Sequence, residues 1–442
     1  MDDLNPTRTD TTEKRSPVKR FFGLLGPGLV TGAADDDPSG VATYAQAGAS
    51  YQYGLLWTVV VTFPLMVVTQ SILDRMAHAT GDSFGRLIRR KFPHSLRLVI
   101  GVLVAALIVA NVVNVAADLM AIGEGMALLH LGPAVLWSGL FGVGILVAVV
   151  AGSFEAIARI FKWLCLVLLV YLGVVVVADV DWAAVARGLL GFGFQLTPAY
   201  LGLTVAVLGT SISPYMFFWQ TAQRVEELRA EDLGGSRAPT LYERTPRARR
   251  RVMRNSRIDV TTGMAFSCLI MFAIIIATAA TLGKAGTPVT SAADAAKALE
   301  PIAGRWSTTL FAIGFIGSGV LAVPVLAASG AAGMAGLANR SWGLDKSPRR
   351  APVFYVLFGV GIVAGTLMSL FSRNPIQLLV LSAILNGIAA GPFLLVMMLI
   401  SGDRQIMGRF RNRRAATILG WATTVVMSVA GAYGVWYTLT GG

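Results

Sequence analysis

The sequence predicts an all-α membrane protein of eleven transmembrane helices, with helices 1 and 6 unwound near mid-membrane. Three observations carry that expectation: long apolar runs, a lopsided placement of basic residues, and polar breaks inside two of the runs. Of 442 residues, 55% are hydrophobic and only 14% charged, and the mean hydropathy is +0.66. Soluble domains carry roughly 25% charged residues, so water is not the main solvent of this chain.

The runs lie at 21–46, 53–74, 98–126, 133–151, 160–180, 197–222, 258–283, 306–333, 352–371, 376–400 and 415–439. A run of about 20 apolar residues crosses a ~30 Å hydrocarbon core as a helix. Residues 1–20 read as a polar cytoplasmic tail, 21–181 as helices 1 to 5, 197–400 as helices 6 to 10, and 415–439 as the eleventh helix. With the N-terminus taken as cytoplasmic, 32 of the 37 Lys and Arg fall on the inner side. Only Arg187, Lys284, Lys297, Arg305 and Arg373 fall outside. Retained basic loops set orientation, which predicts a multi-pass protein of the cell membrane with its C-terminus outside. On this count every Lys and Arg lies outside the apolar cores, which hold acids only.

The loop at 223–257 contains EELRAEDLGG and RTPRARRRVMRNSR and reads as a mobile cytoplasmic linker. Its basic cluster serves retention first, with contact to anionic lipid as the other reading. The net charge of +13 does not point to nucleic acid, because it is parcelled into alternate loops rather than gathered in a groove. Cys165 and Cys268 sit within apolar runs and imply no disulfide framework. The basic start leads into a run interrupted by acids, so no cleaved signal peptide is expected.

Segment one places Asp35, Asp36 and Asp37, then Pro38, Ser39 and Gly40, at mid-membrane depth. Pro38 lacks an N–H and clashes with the preceding turn, Gly32 and Gly40 weaken helical preference, and buried carboxylates are costly unless paired or coordinating. An unwound stretch follows, whose freed carbonyls must line a cavity inside the protein. Carboxylate and carbonyls together make a cation site. In segment six, Gly209, Thr210, Ser211, Ser213 and Pro214 form a second break. A lone Ser-x-Pro reads as a kink, but breaks at corresponding positions of two halves point to the midplane substrate site of a carrier.

GPG at 26–28, Asp37-Pro38 nine residues after Gly28, Ala42, Gln46-Ala47-Gly48-Ala49 and Leu55-Leu56-Trp57 together resemble the first helix of the Nramp family. These natural resistance-associated macrophage proteins are divalent-metal transporters with a leucine-transporter-type fold, two inverted five-helix repeats plus an eleventh helix. ANVVNVAADLMAIGEG at 110–125 resembles the family's third helix, and GTSISPY at 209–215 its sixth-helix motif. The resemblance implies a metal site at Asp37, with Gly40 where the family has Asn, Ser213 where it has Met, and the carbonyl of Thr210. Ala34, at the first break, belongs to the candidate set.

Thioether sulfur selects soft ions, whereas carboxylate, carbonyl and water suit Mg²⁺, Ca²⁺ and Mn²⁺. Gly40 and Ser213 also predict a roomier site, which suits an ion that keeps its water, as Mg²⁺ does. Of the groups the family associates with proton coupling, Asp118 matches one acid, while Ala121, Tyr215 and Gln220 replace the others. The pattern is similar to the Nramp-related magnesium transporters, so the expected activity is Mg²⁺ uptake without proton coupling, with Mn²⁺ as a further cargo. The alternative is a proton-coupled Mn²⁺ or Fe²⁺ symporter. A sodium-coupled amine or amino-acid symporter is disfavoured, since three acids would repel a substrate carboxylate.

No HExxH or GxSxG stretch suggests an enzyme. The expected partners are the divalent cation and the bilayer, with no cofactor and no nucleic acid, and a monomer fits. Met216 offers a sulfur near the second break or packs as core. Asp35 and Asp36 either assist Asp37 or face an aqueous vestibule. Asp118 and Glu124 either line the path or serve structure, and Asn386 either holds an ion's water or bonds between helices.

Overall fold

The computed structural model describes residues 27–152, 166–289, 291–372 and 374–440. The expected tail at 1–20, Cys165 and the start of the fifth segment lie outside the described residues. Helix 1 is divided into α1 (Pro27–Asp35) and α2 (Pro38–Tyr51). Asp37 caps α2 in an extended conformation, and Pro38 occupies the first helical turn, where its missing N–H costs nothing.

There follow α3 (Trp57–Thr80), α4 (Phe84–Lys91), α5 (His94–Leu128), α6 (Ala134–Val150), α7 (Val170–Val177) and α8 (Trp182–Leu189). Helix 6 is likewise divided, into α9 (Pro198–Ser211) and α10 (Pro214–Ala230), with Ile212 and Ser213 out of helical geometry between them. The long helices α11 (Pro246–Thr278), α12 (Ser307–Leu337), α13 (Pro352–Phe371), α14 (Pro375–Ser401) and α15 (Arg414–Thr440) complete the bundle. Each of the eleven expected runs has a helical counterpart. Among the described residues eight helices are long and apolar enough to cross a membrane, with α9 and α10 taken as one.

The small residues of α12 are almost all buried, and it runs alongside α5 at the centre. By contrast α6, α13 and α15 expose large apolar side chains, including Val143, Val147, Val360, Ile418 and Val425. Such a face is stable against lipid tails rather than water. The broken helices are held by backbone-close packing: a Cβ on Gly32 would lie 2.2 Å from the Gly263 carbonyl oxygen of α11, and one on Gly209 2.2 Å from that of Ala383 in α14.

One expectation fails. The linker at 223–257 is largely helical, since α10 runs to Ala230 and α11 begins at Pro246. The remainder is packed: Leu241 is buried, and the Tyr242 hydroxyl donates to the Met407 carbonyl at 3.1 Å. Basic residues also enter the helices and become buried beyond the ends of the apolar runs. Arg224 is buried in α10, its Nε donating to Asp74 Oδ1 at 2.5 Å and its Nη2 to Asp259 Oδ2 at 2.8 Å. A buried cation is tolerable when buried carboxylates pair with it, and a count of charges along the sequence does not register pairing.

Candidate metal-ion site

Asp37 is buried, and its carboxylate ties three elements together. Oδ1 accepts the Gly40 N–H at 2.8 Å and the Ser39 hydroxyl at 2.6 Å, which is the ordinary capping of a helix start. Oδ2 accepts Asn114 Nδ2 of α5 at 3.3 Å, and Asn114 Oδ1 accepts the Ser382 hydroxyl of α14 at 2.9 Å. Ser39 Oγ lies 3.3 Å from Thr210 Oγ1, so a chain of oxygens joins the first break to the second.

The other candidates take different positions. Ser213 turns its hydroxyl back, donating to the carbonyls of Gly209 at 2.6 Å and Thr210 at 2.9 Å. Ala34 contributes a carbonyl, which accepts the Tyr215 hydroxyl at 3.2 Å. Gly40 lies at the meeting of the breaks, but not in the open space its size predicts. A Cβ there would stand 3.3 Å from the Asp35 carbonyl oxygen and 3.4 Å from both Thr210 Oγ1 and the Tyr44 ring.

Asp35 and Asp36 are fully buried and reach α11, where the Ser267 hydroxyl lies 2.5 Å from Asp35 Oδ2 and 3.2 Å from Asp36 Oδ1. Neither faces a vestibule. Asp118 is buried with neither carboxylate oxygen partnered among the described residues, and the Asn386 amide is likewise without a helix–helix bond. Met216 packs among Ala33, Ala34 and Tyr215 as core, and Glu124 is half-buried.

The partners of Asp35, Asp36 and Asp37 are hydroxyls, an amide and a backbone N–H, with no basic side chain among them. Acids buried without a basic partner are a setting in which a cation can supply the missing charge. Among the described residues no group of three His, Cys, Asp or Glu is arranged to hold a metal. Any ion at Asp37 would therefore depend on carbonyls, hydroxyls and water for its remaining ligands.

Sequence reasoning placed Ser39 in the first break without giving it a role, and missed Asn114, Ser267 and Ser382. For Asn114 a signal existed: Asn111, Asn114 and Asp118 recur at helical spacing in an apolar run and so share one inward face. The serines carried none, being common helix residues within membranes.

The family described as natural resistance-associated macrophage protein-like matches residues 28–437. The chain belongs to the Nramp family. A divalent metal cation transporter MntH of Deinococcus radiodurans is 26% identical over 96% of this chain and 92% of its own length. An MntH of Mycobacterium leprae is also 26% identical, covering 96% and 94%. The Eremococcus coleocola manganese transporter, solved with an aromatic bis-isothiourea compound, superposes with a TM-score of 0.71 at 19% identity, over 97% of this chain and 90% of that one. The nucleobase-cation-symport-1 transporter Mhp1 gives 0.55 at 14%, over 94% and 91%. The chain thus has the Nramp fold, of leucine-transporter type.

Proposed function

We propose that this Nramp chain carries divalent metal cations across the membrane, with Asp37 as anionic ligand and the site exposed to each side in turn. Mn²⁺ is the first ion assigned, following the manganese transporter it resembles in fold and relatives named for divalent metal cations. The observation that supports this best is the Asp37 carboxylate capping one break and reaching, through Ser39, to Thr210 at the other, with no basic partner of its own.

Oxygen donors without sulfur suit Mg²⁺ as well as Mn²⁺, so Mg²⁺ is a competing cargo. The reading in which Mg²⁺ comes first leans on Gly40 and Ser213, and the crowding at Gly40 removes its argument from room. Proton coupling divides the two readings. Tyr215 and Gln220 are each engaged, Tyr215 with the Ala34 carbonyl and Gln220 with Thr31 and Asp74, which favours uptake without proton flux. Asp118 is the acid through which a proton would otherwise pass. In this reading the N-terminus is cytoplasmic, residues 21–181 and 197–400 are inverted repeats, and one chain suffices.

Proteoliposomes loaded with a metal-sensitive dye, and in parallel with a pH dye, test all of this. Mn²⁺ influx that Mg²⁺ reduces is expected. Failure to admit either ion overturns the assignment, and lumen acidification in step with Mn²⁺ assigns proton symport instead.

A further inference from the structure

Outside the metal site, a poorly compensated charge among the described residues lies where α3 packs against α11 and against the stretch that leads into α15. Arg75 of α3 donates through Nη2 to Asn412 Oδ1, and Asn412 is held in turn by its Nδ2 bond to Ser401 Oγ at 2.9 Å. The Nε of Arg75 is buried and has no partner among the described residues. The guanidinium is largely buried, and the charges acting on it are those of Arg413 and Arg257, both repulsive, and of its sequence neighbour Asp74, which is attractive. Asp74 is already taken by Arg224, Ser256 and Gln220. Arg257 and Arg413 are exposed and form no ion pair among the described residues.

We propose that this junction binds the phosphate of an anionic phospholipid. Retention on one side of a membrane requires only that basic residues be numerous there. It gives no reason for the charges of Arg257 and Arg413 to act on a buried guanidinium that already lacks a partner at Nε. A phosphate resolves the conflict, because it accepts from several guanidiniums at once in charge-assisted bonds.

Depth favours lipid over a free anion. Arg257 directly precedes the apolar part of α11 that begins at Ile258, and Arg413 precedes and Arg414 opens α15 just before its apolar stretch. Ile418 and Trp421, one and two turns further into the membrane, are exposed and offer an apolar wall for acyl chains. Arg250 and Arg254, at helical spacing before Arg257 and also exposed, extend the positive face. Basic pockets between membrane helices at this level are suited to anionic headgroups.

The test uses the purified full-length protein in a neutral detergent, titrated with phosphatidylglycerol, phosphatidylcholine or inorganic phosphate. Bound lipid is counted by native mass spectrometry and the melting temperature is followed alongside. Phosphatidylglycerol should bind and raise the melting temperature, with little response to the other two. Arg257→Gln and Arg413→Gln, both at exposed positions, should each weaken binding roughly fivefold. Arg340→Gln, which removes equal charge from the loop between α12 and α13, should leave it unchanged. Equal loss in all three variants would reduce the effect to net charge and overturn the proposal. So would a response to inorganic phosphate matching that to lipid, or phosphatidylcholine binding as tightly as phosphatidylglycerol.

Discussion

At the scale of single residues, Asp37 does two jobs that one carboxylate can share. Its Oδ1 caps α2 and its Oδ2 reaches Asn114, so the same group that ends the break also presents charge at it. Asp37→Asn keeps a capping oxygen but loses the anion, whereas Asp37→Ala loses both. We expect Mn²⁺ uptake in proteoliposomes to fall at least about tenfold in either variant, which is a loss of roughly 1.4 kcal/mol, while the melting temperature falls more for Asp37→Ala because a lost cap costs about 1 kcal/mol. Uptake retained by Asp37→Asn would show that the charge is not what binds the ion. Ser213 offers the converse test. Its hydroxyl occupies the Gly209 and Thr210 carbonyls, so Ser213→Met both frees the Thr210 oxygen and brings a thioether to the break. Competition of Cd²⁺ against Mn²⁺ should sharpen by about tenfold if sulfur is what selects soft ions, and an unchanged ratio would refute the role given to its absence.

At the scale of elements, the two breaks were legible because proline and glycine are local chemistry. Asp37-Pro38 and Ser213-Pro214 each start a new helix, whatever surrounds them. Other features depend on neighbours that no single segment names. The burial of Arg224 needs Asp74 from 150 residues away, and the turn of Asp35 and Asp36 towards Ser267 needs α11. Likewise, room at Gly40 was expected from side-chain size, but packing of Thr210 and Tyr44 decides it. The close approach of α1 to α11 also escapes the sequence, and it carries a prediction. A Cβ on Gly32 meets backbone, the carbonyl of Gly263, which no side-chain rotation can relieve. Gly32→Ala should therefore cost about 1–3 kcal/mol, read as a lowered melting temperature. Gly144→Ala, where a Cβ meets nothing within 4 Å, should leave the melting temperature unchanged or slightly raised.

At the scale of the whole molecule, Arg224 is the node that closes the basic end of the bundle. It joins α10 to α3 through Asp74 and to α11 through Asp259, and Asp259 Oδ2 also accepts the Gly28 N–H at the start of α1. Four helices are thus tied on one side of the ion site, two of them halves of the broken pair. If the site is to open towards that side, α1 has to part from Asp259. Removing the cation alone strands two buried carboxylates, so Arg224→Gln should destabilise by about 3–5 kcal/mol. Adding Asp259→Asn to it removes one of the stranded charges and should restore part of the loss, a non-additivity expected of residues in one network. Asp259→Asn by itself keeps an oxygen for Gly28 but weakens the tie to Arg224. It should raise the labelling rate of a cysteine introduced at position 31, on the face of α1 that bonds Gln220, by shifting population towards the state open on the basic side. Labelling no faster than in the Thr31→Cys variant that keeps Asp259, with melting temperatures that add for Arg224→Gln and Asp259→Asn, would show the network to be a static brace rather than the latch of a moving helix.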